Sequence, residues 1–296
     1  MNIGFLGLGK MGHNLVLNLL DHNQKVVVYN RTPEKIKEIA KKGAIPTYSL
    51  EEFTNKLSKP KVIWLMISSN AVEEVLKSLV PYLSKGDIII DGGNSFYKNS
   101  IRRHKELKKK GINFLDIGVS GGIQGARHGA SLMIGGEKEI FKKVEFILKN
   151  LAVKDGYSYL GNPGSGHFIK MVHNGIEYGM VGAISEGIEA LKIYEQEFNL
   201  NLQEITKVYA NGSIIEGKLT KWLHEAYTRK GFLENISCEV PKGETEDEMK
   251  ELEKLAPMPI LHQARLIRVN SRKRKTCSQV VSALRNIWGG HKTIKR

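Results

Sequence analysis

In the first half of the chain, short apolar blocks alternate with stretches of helical spacing. Residues 2–7 (NIGFLG), 25–30 (KVVVYN), 61–67 (KVIWLMI), 87–91 (DIIID) and 112–116 (INFLD) read as buried strands. Between them, 10–22, Pro33 to about Lys42, a stretch from Ala71 and 97–110 read as helices. SLMIGG at 131–136 adds a strand, and 137–149 adds a helix. Strands alternating with helices predict an α/β domain with a parallel, doubly wound sheet. After the turn GNPGSG at 161–166 the pattern changes. Helical spacing runs from about 167 to 196, and strand patterns nearly disappear. The expected division is therefore an α/β domain over 1–162 and a smaller, all-helical domain over 163–296. Within the latter, 241–256 (PKGETEDEMKELEKLA) is charged and poorly patterned.

One helical stretch has an unusual polar content. In KMVHNGIEYG, residues 170–179, Lys170, His173, Asn174, Glu177 and Tyr178 stand at i, i+3, i+4, i+7 and i+8. That spacing lines one helix face. Met171, Val172 and Ile176 then face elsewhere, toward apolar packing. A solvated stripe is the plain alternative, but it would not call for Gly175 and Gly179. Each glycine costs about 1 kcal/mol against alanine inside a helix, which implies a close approach by something else.

Gly7, Gly9 and Gly12 make a GxGxxG turn between the first strand and the first helix. That is the setting of a Rossmann dinucleotide site, with the pyrophosphate at the helix N-terminus. An NAD site wants an acid at the end of the second strand; here Asn30, Arg31 and Thr32 stand there instead. These can hold a phosphate without repelling it, so NADP is expected. DGGNS at 91–95 puts Asn94 at the carboxyl edge of the sheet. DIGVSGG at 116–122 does the same for Ser120, Gly121 and Gly122. Ligands of open α/β sheets bind at that edge.

The 296 residues are 41% apolar, with a net charge of +14. Such a charge suits nucleic acid, an acidic membrane surface or anionic small molecules. The basic runs SRKRK (271–275) and HKELKKK (104–110) lack the interleaved aromatics of a single-strand-binding platform. No apolar run reaches the roughly 18 residues of a membrane span. The N-terminus shows no secretory pattern. Cys238 and Cys277 are the only cysteines. Lacking CxxC or metal-like spacing, they fit a reducing cytoplasm rather than a disulfide framework. Metal-independent chemistry is expected.

Taken in order and spacing, GLGKMG, NRT, DGGNS, GVSGG, GARHGASLMIGG and GHFIKMVHNGIEYG resemble the 6-phosphogluconate dehydrogenases. The resemblance covers residues 2 to about 190. The wider β-hydroxyacid dehydrogenase family shares the Rossmann start, the SGG loop and the lysine, but not HNGIEYG. The chain length suggests the short form, with a reduced helical domain.

What the resemblance implies is an NADP-linked oxidative decarboxylation of 6-phosphogluconate in the pentose phosphate pathway, with NAD as the other possible cofactor. Lys170 is the base on the 3-hydroxyl, and Glu177 the acid that protonates C1 of the enediol. Gly7, Leu8, Gly9, Lys10, Met11, Gly12, Asn30, Arg31, Thr32 and Asn94 face the cofactor. Asn94, Ser120, Gly121, Gly122, His173 and Asn174 hold the substrate. Tyr178, Arg268, Arg285 and His291 take its phosphate, the last two from a neighbouring subunit of a homodimer or homotetramer. PKGETED keeps only Lys242-Gly243 of the family's next phosphate-binding run, so Lys242 is carried over on that pair alone. The competing readings are a dehydrogenase of an unphosphorylated β-hydroxy acid, a nucleic-acid-binding protein on a Rossmann scaffold, and a non-catalytic cofactor binder.

Overall fold

The computed structural model describes residues 2–295. The chain divides between Lys170 and Met171. The change of pattern at 162/163 marks the turn just before the helix that contains this division.

The N-terminal unit alternates strand and helix. β1 (Ile3–Leu6), α1 (Lys10–Asp21), β2 (Val26–Tyr29), α2 (Pro33–Ala40), β3 (Ile45–Pro46) and α3 (Leu50–Asn55) come first. β4 (Val62–Leu65), α4 (Val72–Leu79), β5 (Ile88–Asp91), α5 (Tyr97–Lys109) and β6 (Asn113–Ser120) follow. Then come α6 (Gly122–His128), β7 (Ala130–Gly136), α7 (Lys138–Leu151) and β8 (Ala152–Gly161). The strands form one sheet in the order β3-β2-β1-β4-β5-β6-β7-β8.

Apolar side chains enter the two faces alternately, as the pleat requires. Phe5, Val28, Trp64 and Ile90 join the core beneath α1, α2 and α7. Leu6, Val27, Leu65 and Ile89 join the other, beneath α3, α4 and α5. Burial on both faces is what continuous runs such as VIWL and IIID signal.

β6 and β7 pair antiparallel, whereas every pair among β1 to β6 is parallel. The connection 121–129 is shorter than the dozen or so residues a parallel crossover needs, so the chain turns back. β3 and β8 escape the sequence reading. β3 is two residues long, and β8 is mostly solvent-facing, with no clean alternation.

The C-terminal unit continues α8 (Ser165–Ile193) and adds α9 (Leu202–Tyr209), α10 (Lys218–Thr228), α11 (Thr245–Leu255), α12 (Pro259–Arg272) and α13 (Gln279–Gly289). Its core gathers Val181, Ile188, Leu223, Val240, Val280, Val281 and Leu284. The poorly patterned 241–256 segment is mostly α11. It buries Glu246, Met249 and Leu252 and places Glu246, Asp247 and Glu248 at the positive helix start. Among the described residues, no helix is long and apolar enough to cross a membrane.

Cys238 and Cys277 are joined by a disulfide, contrary to the expectation from their spacing. Sequence distance conceals the contact: Ser278 N–H also donates to the Cys238 carbonyl at 3.0 Å, bringing the segment before α11 to the start of α13. The bond closes a loop across 39 residues, for which chain entropy sets a contribution of about 4 kcal/mol. Trp222 and Trp288 pack 5.9 Å apart in the same unit and report on it. Urea unfolding followed by their fluorescence should show a lower midpoint in reducing buffer and in Cys238→Ser. An unchanged midpoint would show that the cross-link adds no stability.

Candidate active site

The glycine turn after β1 is shaped by two steric demands and one opening. Gly7 has φ +103°, and a Cβ there would overlap the Met66 carbonyl oxygen. A Cβ on Gly12 would overlap the Gly7 carbonyl oxygen, so α1 can start this close to β1 only with glycine. Gly9, the N-cap of α1, differs: its φ of −69° suits any residue, and a Cβ would meet nothing within 4 Å. The helix N-terminus is therefore open at this position, which fits the approach of a dinucleotide pyrophosphate.

Asn30 has a role the sequence does not announce. Its Oδ1 accepts the Leu8 N–H at 2.9 Å, and its Nδ2 donates to the Thr32 carbonyl at 3.2 Å. It therefore clamps the glycine turn to the end of β2, leaving the exposed Arg31 and Thr32 as the groups turned to solvent. Lys10 is exposed, and Met11 packs against the core under the turn.

At the carboxyl end of β5, a buried network holds the loop that carries Asn94. Asp91 Oδ1 accepts the Gly93 N–H at 3.2 Å. Its Oδ2 accepts Ser95 Oγ–H at 2.8 Å and Arg103 Nη1–H at 3.0 Å. Arg103 is 1% exposed and reaches Glu73 through Nε at 2.9 Å. Buried charges of this kind persist only when paired and hydrogen-bonded. Gly92 is required by Trp64, whose indole fills the space a Cβ would need. Asn94 is half-buried at the sheet edge. Ser120 ends β6, followed by Gly121 and Gly122 with φ +120° and +65°.

α8 begins against the strand backbones. A Cβ on Gly166 would overlap the Asp116 carbonyl oxygen, and one on Gly135 would stand 2.5 Å from Gly166 N. A Cβ on Gly118 would overlap Lys170 Cβ, so the lysine stem lies on β6. Asp116, fully buried, accepts the Gly164 N–H at 2.7 Å and the His167 N–H at 2.9 Å. Lys170 is half-buried.

Within the C-terminal unit, the polar stripe of α8 is not a solvated face. Asn174 and Tyr178 are buried, while His173 and Glu177 are half-buried. His173 Nδ1 lies 3.3 Å from Asn174 Oδ1. Gly175 and Gly179 do serve close approach: a Cβ would lie 2.9 Å from Leu252 Cδ2 and 3.0 Å from Ile260 Cγ2 respectively. Met171 is buried as expected. Ile176 is 57% exposed rather than packed against apolar neighbours.

Tyr178 lies in a buried cationic cluster. Its hydroxyl is 3.0 Å from Thr245 Oγ1, and the Arg268 guanidinium stacks over its ring at 3.3 Å. Arg268 is 4% exposed, and its Nη2 has no hydrogen-bond partner. Burial pulls its pKa down to about 10, with Arg285 pushing the same way and Tyr178, Glu177 and Glu246 opposing. It therefore stays charged at neutral pH. Arg285 is also buried, which lowers its pKa, and Nη1 donates to the Pro241 carbonyl at 2.6 Å. Gly243 makes room for it: a Cβ would stand 2.8 Å from Nη2.

Within this chain Arg285 lies close enough to Arg268 and Tyr178 to share their electrostatics. His291, just past α13, is exposed, with its ring against Gly289. Lys242 is exposed and paired with Asp247 at 2.8 Å, which raises its pKa. Thr245, Asp91, Arg103 and Asp116 are missing from the sequence reading. Only the position of Asp91 and Asp116, at the ends of buried strands, hinted at their roles.

The two glycines of the dinucleotide turn separate in their expected effects. Gly12→Ala should destabilise the N-terminal unit by about 1–3 kcal/mol through overpacking against the Gly7 carbonyl. Gly9→Ala should leave the melting temperature unchanged while weakening dinucleotide binding at least tenfold. Differential scanning fluorimetry and cofactor titration distinguish them.

Comparison with known proteins agrees with this geometry. Residues 2–161 match the NAD binding domain of 6-phosphogluconate dehydrogenase, and 166–196 match the C-terminal domain of that enzyme. YqeC of Bacillus subtilis (strain 168), provisionally named a 6-phosphogluconate dehydrogenase, is 40% identical over 299 residues, covering 100% of both chains. The decarboxylating 6-phosphogluconate dehydrogenase of Chlamydia pneumoniae is 47% identical over 201 residues, 64% of this chain and 42% of that one. The chain therefore spans less than half the length of that relative. The Plasmodium falciparum 6-phosphogluconate dehydrogenase, solved in apo form and with NADP+ and 6-phosphogluconate, superposes with a TM-score of 0.83 at 33% identity. That match covers 93% of this chain and 63% of the other. With its NAD(P)-binding domain and the full-length match to YqeC, this chain belongs to the 6-phosphogluconate dehydrogenase family of oxidoreductases.

Proposed function

We propose that the protein oxidatively decarboxylates 6-phospho-D-gluconate to D-ribulose 5-phosphate and CO2, with NADP+ preferred over NAD+. The observation that carries this reading is the buried Arg268–Arg285 cluster beside Tyr178, with Arg268 Nη2 unpartnered. Two desolvated guanidinium groups and a hydroxyl suit a dianionic phosphate, through short charge-assisted hydrogen bonds. An unphosphorylated hydroxy acid would leave that charge unanswered.

A nicotinamide dinucleotide held at the glycine turn would supply the hydride acceptor, and Lys170, as the neutral amine, takes the proton of the 3-hydroxyl. The resulting 3-keto acid releases CO2, its ketone receiving the electron pair. Lys170, now an ammonium, stabilises the enolate oxygen. Glu177, seven residues on and on the same helical flank, gives its proton to C1 of the enediol. Ser120 and the backbone N–H groups of Gly121 and Gly122 suit the carboxylate. Asn94, His173 and Asn174 suit the hydroxyls. Arg31 and Thr32 are the groups that would tell the cofactor's 2′-phosphate from a bare hydroxyl. The family resemblance implies a homo-oligomer in which Arg285 and His291 serve a neighbouring subunit's site.

Reduced-nicotinamide formation with 6-phosphogluconate, compared for NADP+ and NAD+, tests the reading. Lys170→Ala should abolish measurable turnover. Arg268→Met should raise KM for 6-phosphogluconate at least 30-fold, with a much smaller effect on kcat. Arg31→Ala should erase the NADP+ preference. A faster rate with an unphosphorylated β-hydroxy acid would overturn the substrate assignment, and no turnover of either would overturn the activity.

A further inference from the structure

The mechanism uses Lys170 but not the buried polar groups that fix the turn of helix preceding it. His167 stands three residues before Lys170, on a neighbouring position of α8. Its backbone N–H is held by Asp116. Its ring is held separately: Nδ1 lies 2.7 Å from Ser100 Oγ on α5, with both side chains buried. The other ring nitrogen, Nε2, has no partner. Packing alone gives no reason for a histidine here. A leucine would fill similar volume without burying an unpaired nitrogen, so the Ser100 bond is what the imidazole contributes.

α5 is anchored in turn. Arg103, one turn after Ser100, donates to Asp91 and to Ser95 Oγ at 2.9 Å, and so fixes the loop that carries Asn94. Gly164, at the turn into α8, lets Ile101 of α5 approach to 2.5 Å of where a Cβ would be. Tyr97 meets Phe168 edge to face at 5.2 Å. One face of α5 therefore touches both the Asn94 loop and the first turn of α8.

We propose that His167 is a positioning residue for Lys170: its hydrogen bond to Ser100 ties the start of α8 to α5 and keeps Lys170 in register with Asn94. The inference rests on Lys170 as the base. The Lys170 stem packs on the Gly118 backbone, and the Asp116 carboxylate restrains only backbone N–H groups of the turn before it. The Ser100 bond supplies the side-chain restraint. Misplacement of a reacting group by about 1 Å can cost about 100-fold in rate.

The test compares His167→Leu, His167→Asn and Ser100→Ala in steady-state kinetics with 6-phosphogluconate and NADP+. The asparagine amide can stand where Nδ1 stands and reach Ser100. His167→Leu and Ser100→Ala should each lower kcat at least tenfold, with KM for NADP+ within twofold of wild type. His167→Asn should return to within threefold of wild type, and the His167→Leu/Ser100→Ala double variant should be no worse than the worse single variant. Wild-type kcat in His167→Leu or Ser100→Ala, or equal losses in His167→Leu and His167→Asn, would overturn the proposal. Should His167→Leu fail to fold, Ser100→Ala, which removes one oxygen, carries the same decision.

If the wild type leaves 6-phosphogluconate untouched, the proposed substrate falls. The positioning inference is then judged by the rate at which trinitrobenzenesulfonate labels Lys170, read by peptide mass spectrometry. Ser100→Ala should change that rate at least threefold while leaving Lys10 labelling unchanged. Equal rates at Lys170 would overturn it.

Discussion

A helix can lie against the backbone of a sheet only where side chains are absent from the contact, and its first N–H groups then need acceptors that water cannot supply. Both conditions meet at the start of α8. Gly118, Gly135 and Gly166 remove the side chains, and the Asp116 carboxylate supplies the acceptors. The buried negative charge is balanced by the positive end of the helix it caps. Once the first turn is fixed, the 3.6-residue period fixes the direction of Lys170 at the end of this unit.

The N-terminal unit repeats one device at three strand ends. A backbone turn made possible by glycine is locked by a buried polar side chain from elsewhere. Asn30 locks the turn after β1, Asp91 with Arg103 locks the loop after β5, and Asp116 locks the turn into α8. The groups offered to ligands differ at each place. The locks share one property: each is buried or half-buried and hydrogen-bonds within the protein, so the loops are preorganised before anything binds.

Much of this architecture was legible in the chain because it depends on local pattern. The buried strands β1, β2 and β4 to β7, the GxGxxG turn and the polar stripe of α8 all announce themselves by period or spacing. What was hidden depends on partners distant in sequence. The cysteines gave no sign of pairing, since only the fold brings the segment before α11 to α13. Glu246, Met249 and Leu252 do have helical spacing, but the surrounding charges mask it. The hydrogen-bonding capacity of Asn30 was visible in the sequence, but its partner, the Leu8 amide, was not. Arg285 stands in the sequence without any sign of its partner in the fold. Its contact with Pro241 is tertiary.

Arg268 and Arg285 repel one another inside a low-dielectric interior, opposed by Glu177 and Glu246 but not fully answered. A helical unit assembled around such a pair holds unfavourable electrostatic energy when it is empty. An anion held between the guanidinium groups would offset that repulsion, and under the proposed function its binding and the folding of the helical unit are linked in one equilibrium.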